Sequence, residues 1–414
     1  MISTSSASNA VAERRFRAWL GGLAALGLCV RIAFTLVAGF DAEGGLNDSL
    51  NYHLLGRSLA EGDGYIRAFD RLQGVRVPTA EFPPVFPSLI AVLHFLGIRS
   101  VTGQEVALSA LGTVTVVLVG LVAREVAGRR AGLLAAGLAV AYPMLLLPDA
   151  TLQAEGLMAA LVAAALLLAL RARDRRMLIV LGIVIGLATL TRSEGLLLLP
   201  LMVWPAVRSP RAVLLATLPA LALVGMWTAR NGVRLDHLVP LSNNTGTLVA
   251  GANCRESWYG RHEGLWIFSC TTAIDAHGLD ETERTRRYVR TGLDYIGDHP
   301  ARFPRVAAVR ELRLFGLWSP RNQLNWEALE GRDRTALWAG WIVYLVVLAL
   351  AVAGAVVGRR QRLRVSPLLG CIAAVALLAA ATYGNQRFRI TAEPALLVLA
   401  GVAINAGLTS LARR

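Results

Sequence analysis

The chain has 414 residues, of which 55% are hydrophobic and 17% are charged, and its mean hydropathy is +0.52. A soluble domain carries about 25% charged residues, so these figures exclude a soluble globular protein, a disordered chain, a coiled coil and a collagen, and indicate a polytopic membrane protein. The 42 basic residues are all arginines, and with 28 acidic residues they give a net charge of +14. Because the arginines form short clusters between apolar runs, we interpret them as determinants of orientation in a bilayer and expect no nucleic-acid partner.

Membrane spans take about 20 predominantly apolar residues, and ten candidate segments follow one another along the chain. They are predicted at 18–40, 105–123, 131–147, 155–170, 177–191, 195–207, 211–229, 336–357, 366–382 and 394–411. The first is too long for the apolar core of a cleaved signal peptide, so we expect a retained anchor.

The apolar segment Phe82–Ile98 is treated differently, because it begins with closely spaced prolines. If it crossed the bilayer, the arginine clusters at 124–130, 171–176 and 208–211 would lie outside, against the positive-inside bias. We therefore expect an interfacial or re-entrant helix here. Both chain termini are then predicted to be cytoplasmic, with the protein in the inner (plasma) membrane.

The predicted fold class is an all-α polytopic membrane protein with about ten transmembrane helices, interfacial helices in the first outer loop and a small extracytoplasmic loop domain. An N-terminal transmembrane module at 1–229, which includes the outer loop 41–104, is expected to carry the catalytic residues. An extracytoplasmic region at 230–335 and C-terminal transmembrane helices at 336–414 follow it.

Two of the four cysteines, Cys254 and Cys270, lie in the 230–335 region. If this region faces an oxidising compartment, a disulfide between them is the favoured interpretation, and two free thiols are the alternative. Cys29 and Cys371 lie inside predicted spans, where a thiol behaves as a small apolar side chain.

Asp48 is the first candidate catalytic residue. It begins the amphipathic stretch DSLNYHLLGRSLAEG, which we expect to form a helix on the membrane surface. The helix dipole stabilises a carboxylate in the first turn, and Tyr52 follows one turn later on the same face. A simple N-cap is the alternative interpretation of Asp48.

A second acidic patch is PDATLQAEG, where Asp149 closes one hairpin of spans and Glu155 enters the next helix. A helix cap explains Asp149 as well as catalysis does. Glu155 lies where the apolar run has already begun, and a charge is costly there, so a function is the stronger interpretation.

Several arginines on the predicted outer side run against the positive-inside bias. Arg192 lies in the turn LTRSEGL, Arg230 ends the seventh span and Arg387 precedes the tenth. Local ion pairs are one explanation. The other is an anionic lipid phosphate, which arginine binds through two parallel hydrogen bonds.

Cofactor motifs give little signal. The sequence contains no G-x-x-x-x-G-K-[ST] loop and no G-x-G-x-x-G after a strand, so a nucleotide site has no support. The spacing of His262, Glu263, Asp275 and His277 matches no zinc template. We expect no cofactor and leave a divalent metal ion open.

The run NDSLNYHLLGRSLAEGDGY, followed by EFPPVFPSLIA, resembles the first outer loop of the GT-C membrane glycosyltransferases. The nearest branch holds the protein-mannosyltransferase-like and aminoarabinose-transferase-like enzymes of glycosyltransferase family 39. Further similar motifs follow in the expected order over nearly the whole chain, namely PDATLQAEGL, LTRSEGLLLLP, TARNG and YGNQRFRITAEPALLVLA.

The resemblance implies a membrane enzyme that transfers a sugar from a polyprenyl-phosphate donor to an acceptor hydroxyl on the extracytoplasmic face, with inversion. Its partners would be that donor, membrane lipids and a lipid, glycan or protein acceptor. Asp48 and Asp149 match the two acidic positions of the family, and Arg387 matches an arginine that helps to hold the donor phosphate.

One position departs from the aminoarabinose branch, which often has a lysine before Pro-Pro. Phe82 stands there, after Glu81, so Arg57 or Arg67 is expected to replace the lysine. We therefore predict Asp48 and Asp149 as catalytic residues. The predicted donor- and phosphate-binding residues are Tyr52, Arg57, Glu81, Glu155, Arg192, Arg230 and Arg387.

The chemistry agrees with this assignment, because inverting transfer needs a base for the acceptor proton and positive charge for the departing phosphate.

Two other classes of membrane protein are alternatives to a glycosyltransferase of this kind. A transporter would need ionisable residues in mid-span, whereas the predicted spans carry charge mainly at their ends. A lipid-linked glycan ligase or polymerase would carry clustered arginines in one long outer loop. The 230–335 region keeps this second alternative open through Arg284, Arg286, Arg287, Arg290, Arg302, Arg305, Arg310 and Arg313.

Overall fold

The computed structural model describes residues 2–38, 48–328 and 334–413, with side chains from Asn9 onward. Over these ranges the regular structure is helical, and the extended segments contribute one isolated bridge, between Ile66 and Pro78. The prediction of an all-α fold is confirmed.

The helices of the N-terminal half begin with the first apolar helix and continue through the first loop and the central spans. They are α1 (Ile2–Ala38), α2 (Asp48–Ala60), α3 (Ala68–Leu72), α4 (Val85–Phe95), α5 (Val101–Val140), α6 (Pro143–Leu146), α7 (Ala154–Arg171), α8 (Arg175–Thr189), α9 (Trp204–Val207) and α10 (Pro210–Leu235).

The C-terminal half holds a group of shorter helices, followed by three apolar ones. They are α11 (Thr245–Ala252), α12 (Arg255–Trp258), α13 (Phe268–Thr272), α14 (Glu281–Asp298), α15 (Phe303–Leu314), α16 (Pro320–Ala328), α17 (Arg334–Arg360), α18 (Ser366–Ala381) and α19 (Glu393–Leu411).

Among the described helices, six are long and apolar enough to cross a bilayer: α1, α5, α7, α10, α17 and α19. Three shorter apolar segments are Val85–Phe95, Ser193–Val207 and Ser366–Ala381. The multi-pass membrane character of the chain is confirmed, and the number of ten spans stays a prediction.

The long helix α5 contains the predicted span 105–123 and the first part of the next one, 131–147, which continues into α6. Its backbone leaves the helical conformation at Gly128, whose φ of 86° favours glycine. A Cβ added to Gly132 would lie 2.7 Å from the carbonyl oxygen of Gly120, although twelve residues of straight helix would separate these positions by about 18 Å. The two halves of α5 therefore fold back along each other, as the separate segments 105–123 and 131–147 predict.

The largest apolar core joins α1, α5, α7, α8, α17, α18 and α19. Glycines allow the main chains to approach closely. A side chain at Gly354 of α17 would collide with the carbonyl of Leu399 in α19, and one at Gly370 of α18 would collide with the carbonyl of Leu201. Such small residues are typical of packed membrane helices.

The first loop packs beside this bundle. The ring centroids of Phe82 and Phe86 each lie 4.9 Å from that of Tyr52, in edge-on contact. α4 has 11 residues, so it is about 16 Å long, against about 30 Å of hydrocarbon in a bilayer. This length suits the prediction that 82–98 does not cross.

Helices α11 to α16 form a further layer between α10 and α17. A disulfide joins Cys254 and Cys270, whose Cα atoms are 6.2 Å apart. The buried Arg310 of α15 donates hydrogen bonds to the carbonyl oxygens of Ala252 at 2.6 Å and Ala380 at 3.1 Å. Arg310 thereby ties this layer to the end of α18, next to the candidate site.

Candidate active site

A cavity of about 160 Å³ lies where α2, the segment 81–83, the turn 191–194, α11 and the turn Gln386–Thr391 meet. It brings together Asp48 and Arg387, which are 339 positions apart in the chain. The predicted site residues that line it are Asp48, Tyr52, Glu81, Arg192 and Arg387.

Arg387 links two carboxylates. Its Nη2 donates to Oδ2 of Asp48 at 3.0 Å, and its Nε donates to Oε1 of Glu155 at 2.8 Å. The side chain of Asp48, in the first turn of α2, is 36% exposed, whereas that of Glu155, in the first turn of α7, is 2% exposed. Asp48 is therefore open to the cavity, while Glu155 holds Arg387 from the protein interior.

A second guanidinium group, that of Arg192, meets the same buried carboxylate. Its Nη1 donates to Oε1 of Glu155 at 2.9 Å, and its Nε donates to Oε1 of Glu194 at 2.5 Å. Burial opposes the charge, but Glu194 and Glu155 raise the pKa of Arg192 above its usual range. The cavity wall thus holds two charged guanidinium groups in fixed positions.

Tyr52 lies one turn after Asp48 and is buried. Burial, and then Asp48 and Glu155, raise the pKa of Tyr52 well above its usual value. The phenol therefore stays protonated, so that it can donate a hydrogen bond to a ligand in the cavity.

Glu81 brings a further carboxylate to the cavity. Burial and then Glu281 raise the pKa of Glu81 to about 7. An ionised carboxylate repels a phosphate and accepts hydrogen bonds from hydroxyl groups. Glu81 therefore lines the cavity, as its predicted donor-binding role requires, but its charge does not support direct contact with the donor phosphate.

Asp149 lies outside the cavity lining. Its Oδ2 accepts a hydrogen bond at 3.1 Å from Nε of Arg31 in α1, and both side chains are at most 1% exposed. Arg31 also donates to the carbonyl oxygens of Gly27 and Val140. Burial raises the pKa of Asp149 to about 7, against the effect of Arg31. These are the contacts of a structural ion pair, and they do not support the catalytic interpretation of Asp149.

Arg57 and Arg67, the predicted replacements for a lysine, also lie outside the cavity lining. Arg57 donates to Glu61 at 2.8 Å along α2. Arg67 donates to Asp70 at 2.9 Å and to Glu281 at 3.2 Å. The contacts of Arg57 do not support the phosphate-binding role predicted for it, because its charge is already paired with Glu61. That role stays a prediction.

The contacts of Arg230 also do not support its predicted role in binding phosphate, which stays a prediction. Its two terminal nitrogens donate to the carbonyl oxygens of Thr79 at 2.7 Å and Tyr65 at 2.9 Å. Its guanidinium carbon lies 5.0 Å from the ring centre of Trp227. Arg230 therefore fixes the first loop against α10 and does not line the cavity.

Sequence reasoning missed much of the cavity wall. The missed residues are mainly polar or aromatic: Ser193, Ser242, Asn244, Thr245, Leu248, Leu378, Tyr383 and Phe388. The available signal was the run PLSNNTGT after the seventh predicted span, which concentrates hydroxyl and amide side chains.

Metal-ligating groups do not converge on the cavity in the part of the chain that the structure describes. One candidate group there is Cys254, Glu256 and Cys270, whose sulfurs form the disulfide. The other is His237, Asp280 and Glu283, at the start of α14. An exposed acidic group of this kind carries no metal assignment.

The family model of dolichyl-phosphate-mannose-protein mannosyltransferases matches residues 81–229. No curated protein matches the sequence.

Solved structures match over almost the whole chain. The archaeal oligosaccharyltransferase AglB from Archaeoglobus fulgidus, in complex with an inhibitory peptide and a dolichol-phosphate, matches with a TM-score of 0.50 and 13% identity over 95% of this chain. Its apo form matches with a TM-score of 0.53 and 12% identity over 95% of this chain. The fold is that of the GT-C membrane glycosyltransferases. The resemblance found in the sequence is confirmed.

This chain spans about half of AglB, covering 51% of it in both structures. ArnT from Cupriavidus metallidurans bound to undecaprenyl phosphate also matches, with a TM-score of 0.41 and 14% identity, over 95% of this chain and 79% of that one.

Proposed function

We propose that the chain is a membrane glycosyltransferase that transfers a sugar from a polyprenyl-phosphate donor to an acceptor hydroxyl on the extracytoplasmic face, with inversion. The observation that carries the proposal is the exposed carboxylate of Asp48 beside two fixed guanidinium groups, Arg387 and Arg192, in one cavity. The matching mannosyltransferase family model and the dolichol-phosphate named with AglB support a donor of this class.

In the proposed reaction, the acceptor oxygen attacks the anomeric carbon and forms the new glycosidic bond, while the bond from that carbon to the phosphate oxygen breaks. The hydroxyl proton passes to the carboxylate of Asp48. The bonding electrons leave with the polyprenyl phosphate, whose negative charge Arg387 and Arg192 stabilise. A single displacement of this kind inverts the anomeric configuration.

The cavity wall also supports a lipid-linked donor. Leu248, Leu378 and Phe388 give it an apolar side next to the charged one, and a polyprenyl chain requires such a surface. The disulfide between Cys254 and Cys270 favours an oxidising compartment for the layer formed by α11 to α16. This agrees with transfer on the extracytoplasmic face.

The alternative of a glycan ligase or polymerase drew on the many arginines of the 230–335 region. Arg310 is fully buried and donates to main-chain carbonyls. Arg313 is fully buried and donates to the carbonyl oxygens of Glu263 and Arg261. These two groups are used within the protein and do not belong to an exposed arginine cluster. Arg286, Arg287 and Arg290 of α14 are exposed, so that alternative stays open.

The test uses the full-length protein in detergent, a panel of radiolabelled polyprenyl-phosphate monosaccharides, and lipid, glycan and protein acceptor fractions. Release of polyprenyl phosphate identifies the donor. We expect Asp48→Asn to lower turnover by about 10²- to 10⁴-fold, because the base is lost, while the protein still inserts and folds. The matched control is Asp294→Asn on α14, whose side chain is 68% exposed.

Two results would contradict the proposal. Wild-type protein that is inert toward every donor would remove the function. Normal turnover by Asp48→Asn would remove Asp48 as the base.

A further inference from the structure

The carboxylate of Glu81 lines the cavity but takes no part in the ion pairs around Arg387 and Arg192. Those two arginines are bonded to Asp48, Glu155 and Glu194. Within the described part of the chain, no protein group donates a hydrogen bond to the carboxylate of Glu81. Its oxygens are therefore available to a ligand.

The backbone that presents Glu81 is held by a buried carboxylate at the start of α14. Glu281 is 8% exposed and accepts hydrogen bonds from the hydroxyl of Thr79 at 2.7 Å, the main-chain nitrogen of Ala80 at 2.9 Å and the amide of Asn243 at 2.8 Å. Arg67 completes this set at 3.2 Å. Glu281 therefore fixes the residues that precede Glu81 against the α11–α14 layer.

Glu81 itself is held at both of its main-chain polar groups. Its N–H donates to the hydroxyl of Thr79 at 3.0 Å, and its carbonyl oxygen accepts from the hydroxyl of Ser242. These contacts fix the point on the main chain from which the side chain of Glu81 reaches the cavity, as a specificity-determining group requires.

The chemistry of the cavity selects the ligand group. A phosphate would be repelled by Glu81 and is better served by the two arginines. A hydroxyl group carries a proton that a carboxylate can accept in a hydrogen bond, and sugars and sugar acceptors present several. We propose that Glu81 binds a hydroxyl group of the transferred sugar or of the acceptor, and that Glu281 is the positioning residue that presents it. This proposal rests on the proposed glycosyltransferase function.

The experiment measures kcat and the KM values for donor and acceptor on the full-length protein, with the donor that the panel identifies. Glu81→Gln keeps the size of the side chain and removes its charge, so we expect kcat/KM to fall about 10- to 100-fold. A raised KM for the donor assigns the hydroxyl to the sugar, and a raised KM for the acceptor assigns it to the acceptor. Glu81→Asp should recover part of the loss, because it restores a carboxylate.

Binding of sugar-free polyprenyl phosphate is measured in parallel. We expect Glu81→Gln to bind it as tightly as wild type does, because the arginines are intact, whereas Arg387→Gln should bind it more weakly. Glu281→Gln should reproduce the kinetic loss of Glu81→Gln. If it does not fold, Thr79→Val tests the same link, because it removes the hydroxyl that Glu81 and Glu281 share.

The two proposals fail in distinguishable ways. If the wild type turns over a donor and Glu81→Gln changes both KM values and kcat by less than twofold, the role of Glu81 is overturned and the glycosyltransferase function stands. Equal weakening of bare polyprenyl phosphate binding by Glu81→Gln would also overturn it, because Glu81 would then act through the arginines. Inertness of the wild type toward all donors overturns the function itself.

Discussion

Glu155 and Asp48 contact the same arginine, but they differ in what remains free on each carboxylate. Oε1 of Glu155 accepts from both Arg192 and Arg387, and the side chain is buried. Asp48 accepts from Arg387 at its Oδ2 and is 36% exposed. A substrate can therefore reach Asp48 and not Glu155, so we assign the proton transfer to Asp48 and the positioning of the arginines to Glu155.

Asp149 and Glu155 were both predicted as site residues, but the sequence did not show which of the two carboxylates contacts the arginines of the cavity. The partner of Asp149 is Arg31, which is 118 positions away inside the first apolar helix. Arg31 is the only charged residue inside the apolar run 18–40. A charge in mid-span indicates a side chain that faces protein, but this pattern does not identify its partner. The ion-pair partner of a buried charge at this sequence separation is determined by tertiary packing, which cannot be derived from a single sequence.

The pH dependence of turnover should report Glu81. The carboxyl pKa of about 7 is raised by burial first, then by Glu281 and Asp48, with Arg67 and Arg284 opposing. A carboxyl with a raised pKa is ionised above that value and protonated below it. If the ionised form accepts the substrate hydroxyl, kcat/KM should rise as the pH increases through about 7.

The check is a pH profile of kcat/KM for the wild type and Glu81→Gln, with Asp294→Asn as the control for general charge effects. The step near pH 7 should disappear in Glu81→Gln and persist in the control. A step that persists in Glu81→Gln would assign the titration to another group.

At the scale of helices, close main-chain contacts hold the bundle that supports the site. α18 lies against the segment Leu199–Val203, where Gly370 meets the carbonyl of Leu201. Replacing Gly370 by alanine forces the two main chains apart, and overpacking of this kind costs about 1–3 kcal/mol. We expect Gly370→Ala to lower the melting temperature in detergent.

Gly225 in α10 provides the matched control, because an added Cβ there meets nothing within 4 Å. Gly225→Ala should leave the melting temperature unchanged or raise it, since alanine lowers the entropy of the unfolded chain. Equal losses in both variants would show that helix composition, rather than the contact with Leu201, determines the effect.

The sequence predicts which segments are helical better than it predicts where those helices are interrupted. The separate apolar runs at 105–123 and 131–147 already predict two antiparallel segments, and Gly128 allows the reversal between them. The segment 195–207 is more irregular than its hydropathy suggests. It passes from a 3₁₀ turn at Ser193–Leu197 through a π-helical turn at Leu199–Val203 to α9. Pro200 in the π-helical turn and Pro205 in α9 each remove a main-chain hydrogen-bond donor.

For the molecule as a whole, sidedness is the prediction on which the proposed function depends. The free cysteines are first removed by Cys29→Ala and Cys371→Ala. One new cysteine is then introduced at an exposed position in each of two variants, His277→Cys and Arg173→Cys. We expect a membrane-impermeant maleimide to label intact cells through His277→Cys and not through Arg173→Cys, because only the former lies in the predicted extracytoplasmic region.

Permeabilised cells supply the control for this labelling, since both introduced cysteines should then react. The native pair Cys254 and Cys270 should stay unlabelled throughout, because it forms a disulfide. The reverse pattern in intact cells would place the cavity on the cytoplasmic side and end the proposed mechanism.

The whole fold was predictable in class, because composition, arginine placement and family-like motifs all point to a multi-pass GT-C protein. The assembly of the cavity was predictable in part. Asp48, Arg192 and Arg387 were selected from their positions at helix ends, whereas Ser242 and Asn244 lie in a loop whose path depends on how α11 packs against α14. Loops of this kind are positioned by the layer they join, and local sequence does not specify that.

The ion pair between Asp48 and Arg387 has a consequence for the order of events in a catalytic cycle. While Nη2 of Arg387 donates to Oδ2 of Asp48, an acceptor hydroxyl or a water that arrives first must compete with the guanidinium group for this carboxylate. An incoming phosphate competes for Nη2 of Arg387, while Nε stays anchored on Glu155. Donor binding thereby frees Oδ2 of Asp48 for the acceptor hydroxyl. We therefore expect ordered kinetics, in which the donor binds before the acceptor.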